Sequence, residues 1–363
     1  TVGVTTQTAF EVALEAERSR DFSPSLGPIT VGLSSGTSGN RGLFLVAPRE
    51  QDIWVGSFLA KVLPRSILSR ARIALFLRAN SNLYEATGRG RLTFDFYDLI
   101  SPIPAHVARL NAAPPDILIA PPSLLRCLAA ELSAGRLKIC PERLVSAAEV
   151  LDPVDEGIIA EAFGQAIHQV YQCTEGFLGM SCAEGTLHLN EDGVIIEKEY
   201  IDERREKFVP IVTDFSRTSQ PIIRYRLNDI LTEAKTPCPC GSLFTSIASI
   251  EGRCDDLFEM PTYNGDVRPV FPDFIRRAVI ASTDTITDYQ VVQRGPSELT
   301  LALRCRPGAV TEVEFCAAVE RLQTLFAELG CRAPTIRRSE DLHRAGLTKL
   351  RRVERRFDTP PEG

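Results

Sequence analysis

Three stretches hold residue types suited to acting on a phosphate-bearing substrate. The first, Ser34-Ser35-Gly36-Thr37-Ser38-Gly39-Asn40-Arg41-Gly42, is small, hydroxylated and turn-prone throughout, and fits neither a helix nor an ordinary strand. Glycine admits positive φ and close backbone approach, so N–H and hydroxyl donors converge there as in a nest for phosphate oxygens. A Ser/Gly-rich surface linker has the same composition, and the GxxxxGK(S/T) spacing of a Walker A loop is absent. The second, Tyr171-Gln172-Cys173-Thr174-Glu175-Gly176, offers an aromatic face, a hydroxyl and a carboxylate. These suit adenine stacking, a phosphate contact and a magnesium ligand, or equally a surface turn. The third is basic: Arg344, Lys349, Arg351, Arg352, Arg355 and Arg356 make either a solvated face or a cationic patch that swings onto phosphates.

These residues need a frame to hold them. Residues 7–20 read as a short amphipathic helix. Ile29–Leu33 reads as a strand into the first stretch, and Gly42–Ala47 as its hairpin return. Residues 50–69 fit a helix that Pro64 bends or ends. Strands at Arg72–Leu77, Leu92–Tyr97, Asp116–Ala120, Leu144–Ser146 and Ala166–Tyr171 alternate with helices at 104–111, 122–134 and 152–163. That alternation predicts a mostly parallel sheet covered on both faces. Ligand residues gather at the carboxyl ends of such strands, which makes Asn80, Asn82 and Tyr84, in the polar break after Leu77, candidates for an acceptor pocket or a plain turn.

The pattern changes after Asp255. Helices at 271–281 and 311–329 and strands at 289–294, 299–304 and 334–338 suggest a βαββαβ-like, ferredoxin-like α+β unit. Thr311 followed by Glu314 is a capping-box signature. The 363 residues thus divide into a large α/β domain, 1–254, and a small α+β domain, 255–363.

Bulk properties narrow the class. A net charge of −6 from 41 basic and 47 acidic residues argues against nucleic acid as a partner. No apolar run approaches the ~20 residues that span a bilayer, and Thr1–Phe22 lacks the apolar core of a secretion signal. Ten cysteines then read as reduced thiols of a cytoplasmic protein, some available to a metal.

Three further runs make a resemblance specific: Pro221-Ile222-Ile223-Arg224-Tyr225-Arg226-Leu227-Asn228-Asp229, then Cys238-Pro239-Cys240-Gly241 and Glu251-Gly252-Arg253-Cys254-Asp255-Asp256. Phosphate loop, YxxTE, PxIRYRxxD, CxCG and GRxDD occur in the order and approximate spacing of one branch of the adenylate-forming superfamily. That branch holds the phenylacetate–CoA ligases and deazaflavin-coenzyme adenylylating enzymes. The resemblance covers residues 34 to 256 and continues near 349.

The resemblance implies roles. Ser35, Gly36, Thr37, Ser38 and Gly39 would wrap the β- and γ-phosphates of ATP; Thr174 would contact the α-phosphate and Glu175 would hold Mg²⁺. Ala147, Ala148 and Glu149 would lie along the adenine with Tyr171 stacked on it. Placement after strands, apart from the resemblance, makes Ala147 a candidate for the acid pocket with Asn80 and Tyr84. Asp229 would bind the ribose hydroxyls, Arg253 would sit beside ribose or phosphate, and Asp255 would be the hinge. Lys349, in Thr348-Lys349-Leu350-Arg351-Arg352-Val353, matches the lysine that bridges acid and phosphate during adenylation. Cys182-Ala183-Glu184-Gly185-Thr186-Leu187-His188 resembles the branch's C…GxHxxED segment; with Cys238 and Cys240 it supplies three thiolates and an imidazole for structural zinc, or simply small buried side chains.

The expected activity is adenylation of a carboxylic acid, aromatic by analogy with the branch, followed by transfer to CoA, another thiol or a carrier protein. A downstream reductase, a homodimer and a place in phenazine-type antibiotic biosynthesis belong to the same expectation. Adenylylation of a phenolic or deazaflavin hydroxyl is the alternative, as is a nucleotide-binding protein without turnover. Departures from the family are Asn40-Arg41 in place of its Pro-Lys, Thr348 in place of glycine, and only 33 residues ahead of the loop. That short lead implies a thinner substrate-side wall or one supplied by a partner subunit.

Overall fold

In the computed structural model the described residues are 5–19, 25–33, 42–66, 68–77, 91–342 and 350–357. Contacts divide the chain into two compact units. One comprises Thr1–Leu227 and Thr232–Ser249; the other comprises Asn228–Leu231, Ile250–Arg344 and Leu350–Gly363.

In the first unit, helix Thr6–Ser19 lies on a small antiparallel sheet of Ser25–Leu26, Ile29–Leu33 and Leu43–Val46. Ala9 and Ala13 of the helix bury against Val31. The hairpin closes at the pair Leu33–Leu43. Cross-strand Gly32 is needed there, because a Cβ at 32 would sit 2.2 Å from the Phe44 ring. A strand therefore leads into the Ser/Gly stretch and a strand leads out, as expected.

Five parallel strands form one half of the large sheet, in the order Leu92–Asp98, Ala71–Leu77, Ile117–Ala120, Arg143–Ser146, Ile167–Cys173. Side chains on a strand alternate between faces, and both faces here are apolar. Ala74, Phe76, Leu118, Ala120 and Leu144 pack under helices Ile103–Ala112, Pro122–Ser133 and Pro153–Phe163. Ile73, Leu75, Ile117, Ile119 and Val145 pack under Phe58, Leu59 and Val62 of helix Pro48–Val62. Covering on both faces is what a parallel sheet requires. Each fully buried Val, Leu, Ile or Phe side chain among these stabilises by roughly 1.5–3 kcal/mol.

The sheet then turns antiparallel, through Gly176–Ser181 and Leu187–Leu189 to Ser246–Arg253. Lys207–Asp214 pairs antiparallel with both Val194–Tyr200 and Ile222–Arg226. Among the described residues this antiparallel half is as extensive as the parallel half, so the sheet is mixed.

The second unit is α+β. Strands Ile286–Gly295 and Glu298–Cys305 form a hairpin, flanked in parallel by Val353–Arg355 and Thr335–Arg338. Helices Pro272–Ile280 and Thr311–Glu328 accompany it. The connectivity differs from the expected βαββαβ order. The strands preceding the first helix, Phe258–Pro261 and Val267–Val270, pair with each other in a separate hairpin, and Val353–Arg355 becomes the fourth strand of the sheet. The capping box also fails: Val310 is the N-cap, so Thr311 is already helical and makes no cap bond. No helix among the described residues is long and apolar enough to cross a membrane.

Candidate active site

Two of the expected segments follow the carboxyl ends of neighbouring parallel strands. Arg143–Ser146 and Ile167–Cys173 pair with Ser146 opposite Gln169. Directly after Ser146, Ala147 donates its N–H to the Ala120 carbonyl (3.1 Å), and Ala148 takes a left-handed φ of 68°. A non-glycine residue there is strained, a feature that clusters at ligand sites. The turn presents Glu149, whose Oε2 accepts from the Ser123 N–H (3.2 Å) at the start of helix Pro122–Ser133.

After Cys173 the chain reverses in a tight hairpin, Cys173 pairing with Gly176. Thr174 and Glu175 occupy its tip, and Thr174 Oγ1 donates to Glu175 Oε2 (2.9 Å). Tyr171, in the strand that leads into this hairpin, is buried.

Sequence motifs missed the groups that hold this turn. Arg217 Nη1 donates to the Thr174 carbonyl (3.0 Å), and its Nη2 to the Leu45 carbonyl (3.0 Å) in the strand leaving the Ser/Gly stretch. Glu50, buried in the first turn of helix Pro48–Val62, accepts from the N–H groups of Ala47, Thr218 and Ser219 (2.8, 2.6 and 2.7 Å). Burial pushes its carboxyl up, but these bonds and that of the Ser219 hydroxyl outweigh it and hold the pKa at about 2. The only sequence signal was a polar run, Asp214–Gln220, with no assigned element. Tyr225 was quoted only as part of its motif; burial, then the carboxylate of Glu175 and the Cys173 thiol, push its hydroxyl pKa up.

In the second unit, Arg253 Nε lies 3.8 Å from Asp229 Oδ1. Asp255 Oδ2 accepts from Asn228 Nδ2 (2.5 Å), and the Cys254 N–H donates to the Asn228 carbonyl (2.8 Å). The neighbouring Asp256 is buried and ion-paired with Arg351. Burial raises the Asp256 pKa to about 6 against the opposing pull of Arg351.

Cys182, His188, Cys238 and Cys240 converge, their four ligand atoms all lying within 4.8 Å of one another. Cys182 Sγ is 3.7 Å from Cys238 Sγ, and Cys240 Sγ is 3.4 Å from His188 Nε2. Zinc–sulfur bonds of about 2.3 Å place tetrahedral ligands about 3.8 Å apart, so the set fits zinc. His188 Nδ1 lies 3.1 Å from the Phe244 carbonyl, an orientation that leaves Nε2 for a metal. Hydrogen bonds involving Thr186, Cys240 and His188 lower the Cys238 pKa to about 6, while burial raises that of Cys182. Ser35, Gly36, Thr37, Ser38, Gly39, Asn80, Tyr84 and Lys349 lie outside the described residues.

No family model matches the chain. It is 23 % identical over 232 residues to the phenylacetate-coenzyme A ligase of Thermus thermophilus, covering 60 % of this chain and 47 % of that protein. The chain thus spans about half the length of this curated relative. Its fold is that of 2-hydroxyisobutyryl-CoA ligase in the postadenylation state with an acyl-AMP (TM-score 0.68, 18 % identity, 94 % of this chain and 77 % of that one). It is also similar to the anthranilate CoA ligase AuaEII in complex with anthranoyl-AMP (TM-score 0.59, 14 % identity, 87 % and 65 %). In sequence the chain is thus similar to a phenylacetate-coenzyme A ligase, and it shares the fold of the acyl-CoA ligases.

Proposed function

We propose that the protein joins a carboxylic acid to AMP, releasing pyrophosphate, and passes the acyl group to CoA or another thiol. One observation carries the reading: the Ala147–Glu149 turn and the Thr174–Glu175 tip both follow the carboxyl ends of adjacent parallel strands, where α/β sheets bind ligands. The chemistry asks for positioning and for cancellation of developing charge, not for a nucleophilic side chain. Thr174 contacts the α-phosphate, Glu175 holds Mg²⁺, Asp229 and Arg253 take the ribose side, and the Ser35–Gly39 loop takes the outer phosphates. Lys349 bridges acid and phosphate, and the domains 1–254 and 255–363 rotate about Asp255 between half-reactions. An aromatic acid is the substrate class, supported by the anthranilate and phenylacetate specificities in the names of the similar proteins.

The Cys182, His188, Cys238 and Cys240 set holds a structural zinc ion, which would tie two loops distant in sequence, and the reduced thiols suit a cytoplasmic protein. Incubation with ATP, Mg²⁺, CoA and a panel of aryl and alkyl acids, followed by mass spectrometry, tests the function. An acyl-adenylate and its CoA thioester are expected for an aryl acid. Adenylylated product from a hydroxyl compound, with none from any acid, would contradict the reading.

A further inference from the structure

We propose that Glu50 and Arg217 are positioning residues of the nucleotide site, locking the strand that leaves the Ser/Gly stretch to the Thr174–Glu175 turn. The proposal rests on the nucleotide-site reading above and extends it to residues that no motif contains.

Glu50 is 4 % exposed, and every partner it has among the described residues is a neutral donor. Besides the three N–H groups, the hydroxyls of Thr218 (3.0 Å) and Ser219 donate to it. A buried carboxylate without a cation is costly unless its donors are fixed. An apolar side chain would pack this helix against its neighbours without that cost. What the carboxylate adds is a single conformation for residues 217–220, since two successive backbone N–H groups must point at one oxygen.

That conformation aims two side chains. Arg217 spans from the Thr174 carbonyl to the Leu45 carbonyl and also donates to Gln220 Oε1 (2.9 Å). Its fork reaches two carbonyls at once, which a lysine ammonium does less well. Gln220 grips the strand as a second backbone would: its Nε2 donates to the Leu43 carbonyl (3.0 Å) and its Oε1 accepts from the Leu45 N–H (3.1 Å). The start of the same segment braces the turn from the other side. Asp214 Oδ1 accepts from the Ser216 N–H (2.8 Å), and a Cβ on Gly176 would lie 3.3 Å from Asp214 Oδ2. Seven consecutive residues, Asp214–Gln220, thus hold both the outgoing strand and the Thr174 tip. Two elements that must grasp adjacent phosphates of one nucleotide are tied to one clamp, and the clamp is set by Glu50. Catalysis by positioning tolerates only sub-ångström error.

Glu50→Gln and Arg217→Lys test this through two readouts, hydrogen–deuterium exchange and calorimetric titration with Mg–ATP and AMP. In Glu50→Gln, amide exchange is expected to rise at least tenfold at 43–47 and also at 173–176, a turn that Glu50 does not touch. Mg–ATP affinity is expected to fall at least tenfold and at least threefold more than AMP affinity, because ATP engages both held elements. Should Glu50→Gln fail to fold, Arg217→Lys carries the same expectations. Exchange that rises only at 43–50 and 216–220, or ATP and AMP affinities that fall equally alongside a lower Tm, would reduce the cluster to ordinary packing and overturn the proposal. Wild-type protein that binds neither nucleotide would remove the nucleotide reading and the role assigned here. The linkage of strand to turn would then stand or fall on exchange alone.

Discussion

Lys349 stands two residues before Arg351, and Arg351 is held by Asp256, one residue past the proposed hinge. A reach-in lysine requires an anchored base, because a free tether would spread a charge meant for one point. Replacing Lys349 with alanine should lower pyrophosphate exchange at least 100-fold while AMP affinity stays within twofold. Normal exchange in that variant would end the assignment. The anchor is expected to titrate. With its folded pKa raised to about 6, Asp256 stabilises the fold fully below its ordinary range near 3.8, and that contribution is lost as pH rises through 6. The ion pair behaves oppositely: below about pH 6 the carboxyl takes a proton and Arg351 loses its charged partner. Exchange by the wild type should therefore fall between pH 7 and 5, whereas Asp256→Asn should be slower and flat over that range. Parallel profiles for the two proteins would show that the pair does not govern adenylation.

At the level of elements, local chemistry was legible and long-range register was not. The strand Ile29–Leu33 and the alternating helices and strands from 71 to 173 stand where apolar periodicity and prolines put them, because each is decided within a dozen residues. The separate hairpin 258–270 was not foreseen because Pro261 and Pro269 stand inside its strands, and the role of Val353–Arg355 as a sheet strand was not because its partner, Ile286–Gly295, lies far back along the chain. Glu50 illustrates the same limit at the site: its donors Thr218 and Ser219 lie 168 and 169 residues away, and nothing near position 50 announces them. The convergence of Cys182, His188, Cys238 and Cys240 was legible through the resemblance to the branch's C…GxHxxED and CxCG segments. One zinc per chain is expected by metal analysis. Its removal by a chelator, or a Cys240→Ser change, should lower Tm by on the order of 10 °C. A metal-free protein with an unchanged Tm after chelation would mean that the four side chains only pack.

At the level of the whole molecule, the residues assigned to the proposed site fall in both units. Ala147–Glu149 and Thr174–Glu175 belong to one, Asp229, Arg253 and Arg351 to the other, and strands Asp229–Glu233 and Ser246–Arg253 carry the chain across. An enzyme with two half-reactions can use such a division, changing which residues face the nucleotide without altering either unit. The central claim is that these parts activate an acid with ATP. The most direct measurement is isotope exchange between pyrophosphate and ATP, with and without each of a series of aryl and alkyl acids. The account expects Mg²⁺-dependent exchange that requires one class of acid and vanishes without it. Tight AMP binding with no exchange for any acid would contradict it, and would make this chain a nucleotide-binding protein in an enzyme's fold.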